Sequence, residues 1–497
     1  MNAIFTPEGM GRVIKLRVIF SVILLAILPQ ILWSQIPTTG DYRSRVAAGN
    51  WSTAASWQVR DALGNWTTAV AAPTASNNVY IQGGHTITLT AGGDCNSLHI
   101  YYNTGARGTL IVGTYVLNIN GKIRSYDGTV VTSAVDGVFY SSQAGVGTIP
   151  ENLIQSSTGK IKFMGNTRDI TDAGAWGTYG TAFGVEFALT AGQTGTLNTG
   201  FKSKDILFSS GTINTLTNRM GPDAGTANSG VLTINSGATL ITGDVIYKSG
   251  TSRADALTIN AGGTLEFTSA TPGVAFQTVT ISPASTIIYG ADLDNQNFMT
   301  FPYSGTVVTT YGNVILEGVG PSTLSNKWMN RTGIVIKGNL TINNKAILYH
   351  STYPFSLEGN WSSYGPGAYA YSTGSDTIRF AGNAAQTISS PGGIPFKYVA
   401  KTGSGTLTQL NNVSFPTING YLGIENGIWD AGANTLTGTM PSSLLSLNNN
   451  TGLILGETGV QTLPNFAGTI TFNSNSTLTL NGNGAQILKG GLDYKNL

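Results

Sequence analysis

The chain has 497 residues, 41% of them hydrophobic but only 10% charged, and a formal net charge of +2 at pH 7. A balance so near neutral, with no basic run beyond residue 17, argues against nucleic acid as a partner, and apolar residues at regular spacing argue against disorder. The single cysteine, Cys95, excludes an internal disulfide or a Cys-rich metal site and reads as a small buried hydrophobe in a strand.

Arg12, Lys15 and Arg17 precede an apolar run from Val18 to Leu28 that is broken by Pro29. A charged start followed by a short apolar core has the form of a secretory signal, and the run is short for a membrane span. Residues 1–34 are therefore expected to be a signal peptide cleaved near Ser34-Gln35, with an uncleaved anchor as the competing reading. The expected location is secreted or cell-surface, with no membrane span after signal cleavage.

Residues 35–108 hold a Trp-rich segment and the first strands. Trp51, Trp57 and Trp66 fall close together. They read as an aromatic cap over the exposed edge of the first coil; the alternative is a carbohydrate platform, since aromatic faces stack on sugar rings.

From 109 to 497 one short pattern recurs. In Leu257-Thr258-Ile259-Asn260-Ala261-Gly262-Gly263-Thr264-Leu265-Glu266-Phe267, apolar and polar residues alternate, a turn follows, and alternation resumes. Leu232-Thr233-Ile234-Asn235-Ser236-Gly237 repeats it, and Leu117-Asn118-Ile119-Asn120, Leu340-Thr341-Ile342-Asn343 and Leu478-Thr479-Leu480-Asn481 echo it. A unit this short cannot bury its own apolar side, so copies must stack. The predicted fold is all-β, a right-handed parallel β-helix (β-solenoid) with an N-terminal cap segment; the hand follows from the crossover preference of parallel strands. Leu232 and Leu257 are predicted to point inward on neighbouring coils. The repeats are expected to be incomplete at the C-terminus, because Ala485-Gln486-Ile487-Leu488 begins a coil only nine residues before the last residue, Leu497.

Gly359-Asn360-Trp361-Ser362, then Asp376 through Phe380 and Gly382-Asn383-Ala384-Ala385-Gln386-Thr387-Ile388, resembles a repeat of adhesin-like β-helix surface proteins of bacteria, many exported by the type IX secretion system. Asn481-Gly482-Asn483-Gly484-Ala485-Gln486 is a second copy of the Gly-Asn-x-Ala-Gln core, and Tyr42-Arg43-Ser44-Arg45 with Trp51 and Trp57 resembles the start of such mature chains. The resemblance implies a cell-surface rod with secretion machinery among its partners. No C-terminal sorting domain is evident in the sequence.

Catalysis on a β-helix needs clustered carboxylates, as an acid/base pair or as cation ligands. The 24 acidic residues are scattered. Asp292 and Asp294, two apart, are a weak candidate for a metal site and otherwise a solvated loop. The three histidines, His85, His99 and His350, are far apart; His85 and His99 could meet on adjacent coils, but a His pair without a third ligand is poor evidence for zinc, and no cofactor is expected. The binding candidate is aromatic: Tyr349, Tyr353, Trp361, Tyr364, Tyr369 and Tyr371 crowd one stretch. Exposed, these rings suit glycan stacking; buried, they form an aromatic ladder. The expected function is a non-catalytic structural or adhesive β-solenoid whose partner is an extracellular glycan or another surface protein. The alternative is a polysaccharide-degrading lyase or glycoside hydrolase.

Overall fold

The computed structural model describes the chain from residue 37, except 104–105, 128–129, 134–136, 141–153, 157–158, 172–183, 199, 204, 219, 223–229, 244–255, 271–275, 277, 292–295, 299–308, 319–324, 330, 332, 344, 351–352, 365–368, 372–376 and 457–460. The signal-peptide segment and the Asp292/Asp294 pair lie outside the described residues, as does the side chain of Tyr371.

The chain winds as a parallel β-solenoid, and where a coil is described throughout it lays down strands on up to three faces. One coil runs Ile334–Ile336, Leu340–Ile342 and Ala346–His350; the next runs Phe355–Leu357, Trp361–Ser363 and Tyr369–Tyr371. Each strand pairs in parallel with its counterpart one coil away: Ile334 with Phe355, Leu340 with Trp361, Leu348 with Tyr369. The middle face is continuous in parallel pairing from Tyr42–Ser44 through Val79–Ile81 and onward to Thr477–Leu480. On the leading face the first part of the ladder ends at Thr278–Ile281, and a second begins at Thr309–Tyr311. The third face is built in segments, among them the sheet of Gln296–Asn297, Ser325–Met329, Ala346–His350 and Tyr369–Tyr371.

Alternation sorts each strand. Leu257 and Ile259 are fully buried, while Thr258 between them is only half-buried. Leu232 pairs with Leu257 and Ile234 with Ile259, all four inside, so the predicted register holds. The interior is one continuous apolar column from Tyr42 to Leu478. Phe163, Phe187 and Phe208 stack within it at 5.4 and 5.2 Å between centroids, an arrangement that packs flat rings at the rung spacing of a parallel sheet. The turn after Ile259 places Gly262 at φ +75°, and the turn after Ile234 places Gly237 at φ +74°. This backbone region costs glycine little, which explains why the repeat keeps a glycine there.

Side chains tie consecutive coils together at the turns. Asn313 Oδ1 accepts from the Asn339 amide at 2.9 Å, Asn339 Oδ1 from the Asn360 amide at 2.9 Å, and Asn360 Oδ1 from the Thr387 amide at 2.8 Å. The recurring Gly-Asn pair is thus a ladder. The Gln of the Gly-Asn-x-Ala-Gln core has its own task. Gln386 Oε1 accepts from the Gly382 amide at 3.0 Å, and its Nε2 donates to Leu357 O at 3.1 Å and Gly359 O at 2.7 Å. One buried amide therefore satisfies backbone groups of two coils, as burial demands.

Candidate functional site

With the interior filled, recognition must use outward side chains, and among the described residues the third face carries the closest outward aromatic contact. In Ser325–Met329, Ser325, Lys327 and Met329 point inward, which leaves Asn326 and Trp328 on the outer side. In Ala346–His350 the same alternation turns Ile347 and Tyr349 outward. Register then sets Trp328 beside Tyr349, with Asn297 one coil before and Ala370 one coil after. The two rings stand 3.9 Å apart between centroids with a 34° tilt. Because they face each other along the rod, Tyr349 turns its other side toward the position of Ala370, where the side chain is a single methyl.

The layer beneath is polar but satisfied. Lys327 is fully buried, and its ammonium donates to Ala291 O at 2.6 Å and Gln296 Oε1 at 2.8 Å. His350 is fully buried as well. Its Nε2 lies 2.7 Å from Tyr353 O and so carries the proton, leaving Nδ1 to accept from the Tyr369 hydroxyl at 3.4 Å. Burial pulls the His350 pKa down to about 4, although the Tyr353 carbonyl acts the other way. The imidazole is therefore neutral at pH 7 and holds the turn at Tyr353 in place.

The remaining aromatic candidates separate. Tyr353 and Tyr364 are 41% and 61% exposed. Trp361 is fully buried, edge-on to Tyr369 at 5.8 Å and to Phe396 at 5.5 Å, and Tyr369 is buried with it. These two belong to the aromatic ladder and not to a stacking surface, because both occupy inward positions of their strands. Trp328 was missed by the sequence reading; the alternation of Ser325–Met329 was the available signal, masked by the lysine that it turns inward.

The N-terminal tryptophans also divide. Trp57 is fully buried, Trp51 nearly so; Trp57 Nε1 donates to Trp51 O at 2.8 Å, and the rings meet edge-on at 5.3 Å. Strand Trp57–Arg60 pairs antiparallel with Tyr42–Ser44 and with Trp66–Thr68. Trp66 lies on the outer side of this small antiparallel sheet, with the Arg43 guanidinium 4.5 Å and the Arg60 guanidinium 5.8 Å from its ring centroid.

On the leading face Glu186 is ion-paired with Lys160 and Lys162. Burial alone would raise the Glu186 pKa, but hydrogen bonds from Lys160, Lys162 and Ser209 outweigh it and hold the carboxyl below its ordinary value. The contacts are 2.5, 3.0 and 3.0 Å. His85 bonds Ser44 Oγ at 2.9 Å, whereas His99 stacks on Tyr80 at 4.4 Å on the middle face. Among the described residues no three His, Cys, Asp or Glu side chains are placed to hold a metal ion. Cys95 is fully buried, and burial raises its pKa well above the usual thiol range, so it is an inert packing residue. The chain matches no family model, no curated protein sequence and no solved structure.

Proposed function

We propose that this chain is a secreted or cell-surface, non-catalytic structural or adhesive rod that binds extracellular glycan on its third face. The observation that carries the reading is the outward Trp328–Tyr349 contact, 3.9 Å between ring centroids, on a solenoid whose inward positions are taken up by its own core. A pyranose ring presents an apolar face that matches an aromatic ring, and the residue in register with Tyr349 on the next coil is Ala370, whose side chain is a single methyl. Exposed Tyr353 follows the same strand in the chain. The Trp51–Trp57 pair and the antiparallel strands around it act as the N-terminal cap of the rod.

Affinity electrophoresis through gels containing neutral polysaccharides tests the binding. The wild-type protein is expected to be retarded by at least one of them, and Tyr349→Ala with Trp328→Ala to lose roughly tenfold or more in affinity, since stacking on one ring contributes about 1–1.5 kcal/mol. Equal retardation of wild type and double variant on every gel rejects the third face as the binding surface.

A further inference from the structure

The outer side of the small N-terminal sheet holds a second site, of different chemistry. Arg43 pairs in register with Gln58, and Arg60 with Trp66, so Arg43, Gln58, Arg60, Trp66 and Thr68 share one surface. The Arg43 guanidinium lies 4.5 Å from the Trp66 ring centroid, and its Nε donates to Gln58 Oε1 at 2.8 Å. Ring and amide together fix the side chain, and Nε is spent. The two terminal nitrogens are left over, and they form the planar fork that grips an oxyanion through two parallel hydrogen bonds.

The nearby carboxylates do not occupy that fork. Asp41 accepts from the Thr38 amide at 2.7 Å and from Asn78 Nδ2 at 3.0 Å. Asp61 Oδ1 is used by the amides of Leu63 at 2.9 Å and Asn65 at 2.8 Å, within its own turn. Neither forms an ion pair with Arg43 among the described residues. Burial, and the like charge of Arg60, push the Arg43 pKa below its ordinary value. Both guanidiniums lie near the Trp66 ring, 4.5 and 5.8 Å from its centroid, so the positive potential there favours an anion.

We propose that Arg43, held by Trp66 and Gln58 and reinforced by Arg60, binds the carboxylates of a uronate-bearing polysaccharide. The flanking outward groups, Gln58 and Thr68, are neutral hydrogen-bonding side chains suited to sugar hydroxyls. The inference rests on the extracellular, glycan-binding reading above but uses a separate surface. It also divides the tryptophans by role: Trp51 and Trp57 pack, and Trp66 orients an arginine.

The test measures binding of the purified protein to polygalacturonate, to dextran sulfate and to neutral dextran at fixed ionic strength. Wild type is expected to prefer polygalacturonate. Arg43→Gln should weaken it about tenfold or more, the loss expected for a charge-assisted bidentate contact. Arg43→Lys keeps the charge but not the fork and should also weaken binding, which separates recognition from bulk electrostatics. Both variants must retain the wild-type circular dichroism spectrum, and Trp66→Phe, which keeps an aromatic floor, should bind more tightly than Trp66→Ala. Equal uronate affinity in wild type and Arg43→Gln overturns the proposal. So does dextran sulfate bound as tightly as polygalacturonate, which assigns the fork to anions at large. Tyr349→Ala with Trp328→Ala serves as the internal comparison: unchanged uronate binding in that variant shows the two surfaces to be independent, and an equal loss there overturns the N-terminal assignment.

Discussion

At the scale of single residues, the buried polar side chains are the informative ones, because each needs its partners inside the core. His350 is the clearest. Its folded-state pKa of about 4 lies below the ordinary imidazole value of 6.5, so the folded protein resists protonation while the unfolded chain accepts it. Stability from this group is therefore fully present above pH 6.5 and is lost as pH falls through the window from 6.5 to about 4. The loss has a ceiling on the order of 3 kcal/mol. His350→Gln, which can still donate to Tyr353 O, removes the titration. The wild-type melting temperature is expected to drop further than that of the variant between pH 7 and pH 4; parallel curves would show that the ring does not titrate in this way. The same residue supports the turn at Tyr353, so acid should also weaken glycan retention on the third face.

At the scale of the element, the turn chemistry explains repeats that look like low complexity. Alternation needs only apolar and polar residues, yet Gly-Asn recurs as a pair. Asn339 and Asn360 each cap the next coil, as described above, and the glycine before each is required by space. A methyl at Gly359 would stand 2.2 Å from Gly338 O. Gly359→Ala should therefore force the two coils apart and cost about 1–3 kcal/mol, whereas Asn339→Ala removes one side-chain hydrogen bond and should cost about 1 kcal/mol. Thermal unfolding of the two variants checks the ranking, and a larger loss from Asn339→Ala would contradict it. The Gly-Asn-x-Ala-Gln core works likewise, with Gln386 stitching Gly382, Leu357 and Gly359.

At the scale of the whole molecule, each coil touches mainly its neighbours, so energetic coupling should be short-ranged. Leu232 and Leu257 are in register on adjacent coils, while Leu453 belongs to a distant one. In double-mutant cycles to Ala, the pair Leu232/Leu257 is expected to depart from additivity by about 0.5 kcal/mol or more, and Leu257/Leu453 to be additive within about that amount. Coupling of equal size in both pairs would contradict the short-ranged coupling expected of stacked coils.

The sequence by itself determined the β-coil, the inside–outside assignment of Leu257 and Ile259, the glycine turns and the stacking of Leu232 on Leu257. These depend on alternation along a strand and on backbone sterics at turns, both properties of a few consecutive residues. The sequence did not determine which aromatic rings meet on the outside. Trp361 and Trp328 sit in short strands of three and five residues, yet one is core and the other surface, since each is placed by the parity of its own strand. Which outward ring lands beside which depends on the length of chain between coils, and that length varies: Asn235 and Asn260 bond across 25 residues, Asn339 and Asn360 across 21. The Trp328–Tyr349 contact is a product of that stacking register, and the Arg43–Trp66 pair of the antiparallel pairing of both strands with Trp57–Arg60. Only the tertiary structure decided them, because pairing between coils is set by where the whole apolar column closes, not by any one stretch of the chain.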